Sequence, residues 1–204
     1  MKEQSKAEVT MALGQANVPI RPIHIGWHSA PTLSFGVRDF VDPAVLKKLQ
    51  SGLPQTVVTR MYAYDEGARD PLALGVLSCR IVYDLWDGVY RIERQTENSD
   101  RTVSVRNVEG VVQQCLAVQN VQLGEAAQFV RQRGRYVYFG VVVELNPLSP
   151  DTIQRIRRWL ARPSGSELNG NAFFGSFVSI FVGRKLGAAD KTLSFRSELF
   201  AVPP

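Results

Sequence analysis

The chain has 204 residues, 45% of them hydrophobic and 21% charged. That is globular composition at the length of one domain, which excludes wholesale disorder, a collagen-like repeat and a coiled-coil rod. Lys and Arg number 24 against 19 for Asp and Glu, and this mild excess permits a polyanionic partner without demanding one.

Residues 1–22 read as an N-terminal arm. It ends in Asn17-Val18-Pro19-Ile20-Arg21-Pro22, where two prolines favour an extended run. Residues 23–204 read as a single globular domain. A short edge strand is expected over Ile23 to Trp27 and a second strand over Thr32 to Phe40, where Leu33, Phe35 and Val37 alternate with Ser34, Gly36 and Arg38. Asp42-Pro43 opens a helix with Val45, Leu46 and Leu49 inward, and Gly52 closes it.

Gln55 to Asp65 is β-branched and aromatic, hence a strand. Strands follow over Leu72 to Tyr83, Val89 to Gln95 and Arg101 to Arg106. Asp87-Gly88 is a hairpin signal between the first two of these, so residues 55–106 read as an antiparallel meander. Asn107 caps a helix expected to run to about Gln119, with Val108, Val111, Val112, Cys115 and Leu116 on one face. Phe129 to Arg135 reads as a loop. Tyr136 to Leu145 is a strand apolar on both sides and therefore central. Ser149-Pro150-Asp151 opens a further helix, residues 162–171 are a loop, and Phe173, Phe174, Phe177, Ile180 and Phe181 favour a buried helical stretch, with a strand as the alternative. Lys191 to Phe200 is the last strand.

The longest apolar stretch, Ala172 to Gly183, falls short of the ~20 residues a membrane span needs. The opening residues lack the apolar core of a signal peptide. Two locations stay open: the cytoplasm, or the periplasm if a signal or anchor has been removed.

No motif points to catalysis, and none to a cofactor or metal. His24 and His28 have H-x-x-x-H spacing but sit in a strand-like segment, with no glutamate after His24. Asp65 with Glu66, and Asp84 with Asp87, are carboxylate pairs in turns, where Asp serves backbone hydrogen bonds. Cys79 shares a strand face with Leu77 and Ile81, and Cys115 lies on the inner face of its helix. The expectation is two buried free thiols in one core, with a disulfide as the alternative. The candidate binding residues are two basic stretches: Arg131, Arg133 and Arg135, then Arg155, Arg157, Arg158 and Arg162. Arginine suits bidentate contact with phosphate, whether of nucleic acid or of an anionic lipid.

Several features also occur together in one known pattern. A strand and short helix end in Leu49-Gln50-Ser51-Gly52-Leu53-Pro54. The hairpin Arg80-Ile81-Val82-Tyr83-Asp84-Leu85-Trp86-Asp87-Gly88-Val89-Tyr90-Arg91-Ile92 follows, then a short strand, the helix at Val108, the strand at Tyr136 and Asn146-Pro147-Leu148-Ser149-Pro150. Over residues 33–150 this order resembles a family of bacterial envelope proteins designated a domain of unknown function, number forty-three ninety. The resemblance implies an exported, periplasmic protein. It implies no activity or substrate, so no functional residue is carried over. The helical material after Ser149 departs from the family pattern.

The fold expected is therefore α+β: a mainly antiparallel sheet, in one version curled into a sandwich, with about three to four helices packed on it. The function expected is a non-enzymatic envelope module that binds another protein or an envelope component. The alternative is a polyanion binder, for nucleic acid or anionic lipid, working through the arginines.

Overall fold

The computed structural model describes residues 18–68, 70–97, 99–147 and 189–203. In chain order the elements are β1 (His24–Trp27), β2 (Pro31–Gly36), α1 (Pro43–Leu49), β3 (Gln55–Asp65) and β4 (Ala73–Asp84). Then come β5 (Val89–Thr96), β6 (Ser99–Val105), α2 (Val108–Cys115), β7 (Ala117–Gln122) and α3 (Ala126–Phe129). β8 (Tyr136–Leu145), β9 (Lys191–Arg196) and β10 (Phe200–Ala201) complete the series.

The strands form two sheets. The larger has the order β10-β8-β3-β4-β5-β6, with β9 also pairing β8, and the smaller has the order β1-β2-β7. Every ladder between these strands is antiparallel. The meander over 55–106 is borne out, and so is the central place of the strand at Tyr136. β8 pairs β3 along one side and β9 and β10 along the other. All its residues after Tyr136 are buried, as an apolar run covered on both faces requires.

One face of the large sheet carries Val57, Met61, Leu77, Cys79, Ile81, Val141 and Val143. These join Leu33 and Val37 at the small sheet, Val45 and Leu49 of α1, and Val111 of α2 in one core. Among the described residues the arrangement is mostly antiparallel sheet with three α-helices, sandwich-like and consistent with α+β. α1 starts as Asp42-Pro43 dictates: the Asp42 carboxylate accepts from Val45 N at 2.8 Å, and proline occupies the first turn. Asn107 does the same for α2, its side chain accepting from Gly110 N at 2.9 Å.

The structure corrects several expectations. Cys79 and Cys115 are bridged, not free. α2 lays Cys115 against β4 with the two α-carbons 5.7 Å apart, within disulfide range. α2 also stops at Cys115 instead of near Gln119, because residues 117–122 pair with β2 as the third strand of the small sheet. The loop expected over Phe129 to Arg135 is helical in its first part: α3, opened by a capping box between Glu125 and Gln128, ends at Phe129, and a 3-10 turn follows over Val130–Gln132. The second strand stops at Gly36, and a 3-10 turn at Arg38–Phe40 follows it. The last strand is broken at Ser197, whose hydroxyl accepts from Phe139 N at 2.9 Å inside the sheet. This leaves Leu199 half exposed. Within the arm, Ile20 bridges to Arg196 in parallel, so residues 19–21 extend along β9. Residues 1–17, the helix expected from Ser149, the 162–171 loop and the apolar stretch at 173–181 lie outside the described residues.

Candidate functional site

Three constellations stand out from the structural frame. The first is the arginine loop. Arg131, Arg133 and Arg135 are all exposed at the end of the large sheet where β8 begins, while Gln132 between them is buried. The 3-10 turn brings every third residue to the same side, so Phe129 and Gln132 point inward while Arg131 and Arg133 are left outward. Gly134, at φ +71°, then turns the chain into β8, a conformation glycine adopts without steric cost. Arg135 meets Asp65 at 3.4 Å. With Glu66 and Tyr136 these two line an open concavity of ≈ 220 Å³. Arg131 and Arg133 form no ion pair among the described residues. Arg155, Arg157, Arg158 and Arg162 lie outside those residues, so the structure brings together three of the seven candidates.

The second constellation lies on the other face of the large sheet. Val58 of β3 is the register partner of Glu144, and Arg60 that of Val142. Arg60 and Glu144 are therefore diagonal neighbours on one face, and they form a buried ion pair. Tyr62, Tyr64 and Tyr138 continue the face. Tyr64 and Tyr138 are register partners with ring centroids 5.2 Å apart, and Tyr62 lies 6.0 Å from Tyr64. The Arg196 guanidinium sits 5.8 Å over the Tyr138 ring. Burial pushes the Tyr62, Tyr64 and Tyr138 phenols above their ordinary range; Arg60 opposes this at Tyr62, and Arg196 does so at Tyr138. These three stacked rings and the buried ion pair form one continuous layer on this face of the sheet. Sequence reading missed it, although Arg60 and Glu144 are conspicuous charges within two apolar strands.

The third is the β4–β5 hairpin tip. Asp84 organises it: one carboxylate oxygen accepts from Trp86 N at 3.0 Å and from Asp87 N at 3.1 Å. Its carbonyl accepts from Gly88 N at 2.9 Å. Arg91 donates to Asp84 at 3.0 Å and to Asp87 at 2.8 Å. The Asp87 backbone N–H and the Arg91 guanidinium together hold the Asp84 carboxyl below its usual range. The pair Asp84 and Asp87 thus serves the turn, as its residue types suggested. Above this base Trp86 is 98% exposed.

His24 and His28 are exposed on and just after β1, an edge strand of the small sheet. Among the described residues, no group of three His, Cys, Asp or Glu side chains could hold a metal ion, and no helix is long and apolar enough to cross a membrane. Comparison with protein-family models, curated proteins and solved structures found no match.

Proposed function

We propose that the chain is a non-enzymatic binding or interaction module of the bacterial envelope, working in the periplasm. The observation that carries this reading is the Cys79–Cys115 bridge, buried at both ends. Stable disulfides form in oxidising compartments and are rare in the reducing cytosol. The resemblance over residues 33–150 supports the same compartment. Pre-organised exposed side chains on a rigid sheet support binding as the role, since such groups recognise a partner at low ordering cost. The test is to tag the native gene at its chromosomal locus and fractionate the cells by osmotic shock. The protein is expected in the periplasmic or envelope fraction; co-fractionation with cytoplasmic markers overturns the reading.

A second reading, polyanion binding, is favoured by Arg131 and Arg133, which are exposed and without an ion-pair partner among the described residues. Tyr136 beside them offers a half-exposed ring for stacking. On this reading Arg135 extends the surface, while Arg155, Arg157, Arg158 and Arg162 lie outside the described residues. Binding to heparin that falls steeply with salt, and that Arg131→Glu with Arg133→Glu abolishes, supports it. Salt-independent or absent binding removes it.

A further inference from the structure

The β4–β5 hairpin ends in an apolar tip that stands exposed among the described residues. Trp86 is 98% exposed, Leu85 67% and Leu53 66%. Gln55 is the register partner of Ile81, so residues 52–54 run beside the end of β4. There Leu85 covers Gly52: a Cβ at position 52 would lie 3.1 Å from Leu85 Cδ1. Leu53 follows Gly52 and Trp86 follows Leu85, so the three exposed apolar residues lie close together at this end of the sheet. The turn beneath them is fixed by the three backbone hydrogen bonds to Asp84 and by the Arg91 clamp.

We propose that this tip is a membrane-docking element, with Leu53, Leu85 and Trp86 entering the boundary between headgroups and acyl chains of a lipid bilayer. Size argues for a bilayer over a protein. A stable protein interface buries about 800 Å² per partner over some 20–30 residues, and three side chains on a narrow tip fall far short of that. A bilayer sets no such minimum, because each inserted apolar side chain adds its own transfer free energy. Chemistry argues the same way. An indole prefers the membrane interface, ring among chain ends and N–H among headgroups. Charge is compatible: both carboxylates of the turn are tied to Arg91. Exposed Arg106, which follows Val105, the register partner of Tyr90, is available to lipid phosphate at the hairpin base. The apolar contact supplies most of the binding, so salt weakens it little.

This inference takes up the envelope reading and names the partner's chemistry. The probe is co-sedimentation of the full chain with phosphatidylcholine vesicles, with and without phosphatidylglycerol, over about 0.05–0.5 M salt. The unmodified protein is expected to bind both vesicle types with little salt dependence. Leu85→Ser with Trp86→Ser should weaken binding about tenfold or more at unchanged circular dichroism and melting temperature. Trp86→Phe should keep binding but lose the quenching of tryptophan fluorescence by brominated lipid. The proposal is overturned if the unmodified chain binds neither vesicle, or if the double serine variant binds equally well. It is also overturned if binding requires phosphatidylglycerol, falls steeply with salt and vanishes in Arg131→Glu with Arg133→Glu. Fractionation is read separately: a periplasmic protein that ignores vesicles sinks this inference alone, and a vesicle binder found with cytoplasmic markers sinks the compartment alone.

Discussion

Tyr83 and Tyr90 stand directly opposite each other across the β4–β5 hairpin, their ring centroids 4.6 Å apart. The pair links the rigid turn above it to the core below, since Tyr90 is buried and Tyr83 packs against the same core. Tyr90→Ala should cost about 3–5 kcal/mol, as loss of a buried aromatic does. A double-mutant cycle with Tyr83→Ala should show a coupling of about 0.2–1 kcal/mol in denaturant unfolding. Strict additivity would mean that the rings touch without supporting each other.

The Arg60–Glu144 pair should matter more when broken than when replaced. Glu144→Gln leaves a buried guanidinium short of its counter-charge and should cost about 3–5 kcal/mol. Arg60→Met with Glu144→Leu should cost less than the two single changes added together, by about 0.5–3 kcal/mol. Chemical denaturation of the four proteins measures this directly, and a sum of singles equal to the double would contradict a coupled pair.

The buried tyrosines give the fold an alkaline limit. Burial holds the Tyr62, Tyr64 and Tyr138 phenols above their ordinary value of 10.0. The unfolded chain therefore loses these protons first. Their contribution to stability is fully present below about pH 10 and is lost as pH rises beyond it. Phenolate absorbance from these three should appear only together with loss of far-ultraviolet circular dichroism. Ionisation of all 6 tyrosines in a chain that keeps its native spectrum would contradict their burial.

Much of the sheet is legible because its strands obey local rules. β3 has the bounds its β-branched run predicts, and Asp87-Gly88 marks the hairpin. The caps at Asp42 and Asn107 mark α1 and α2. β7 is hidden because no breaker separates it from α2. Leu116 closes the helix, Ala117 already pairs with Gly36, and pairing with β2 is a tertiary event that no local pattern announces. The disulfide is hidden for the same reason, since 36 positions of separation say nothing about a distance in space. Of the candidate surface, the arginine loop is legible from composition. The docking tip is not, because Leu53, Leu85 and Trp86 belong to two segments that only the β3–β4 register brings together.

The oxidation state of Cys79 and Cys115 in living cells tests the central claim most directly. The bridge closes a 36-residue separation, and removing it with Cys79→Ser and Cys115→Ser should cost roughly 3–4 kcal/mol. The decisive measurement uses the native gene. Cells are quenched in acid, and the unfolded chain is alkylated with a bulky maleimide before and after reduction, then read by gel shift. The account predicts no label before reduction and two labels per chain after it, as for a protein folded in an oxidising compartment. Two labels before reduction would mean that the thiols are free in the cell, and would contradict both the bridge and the periplasmic reading built on it.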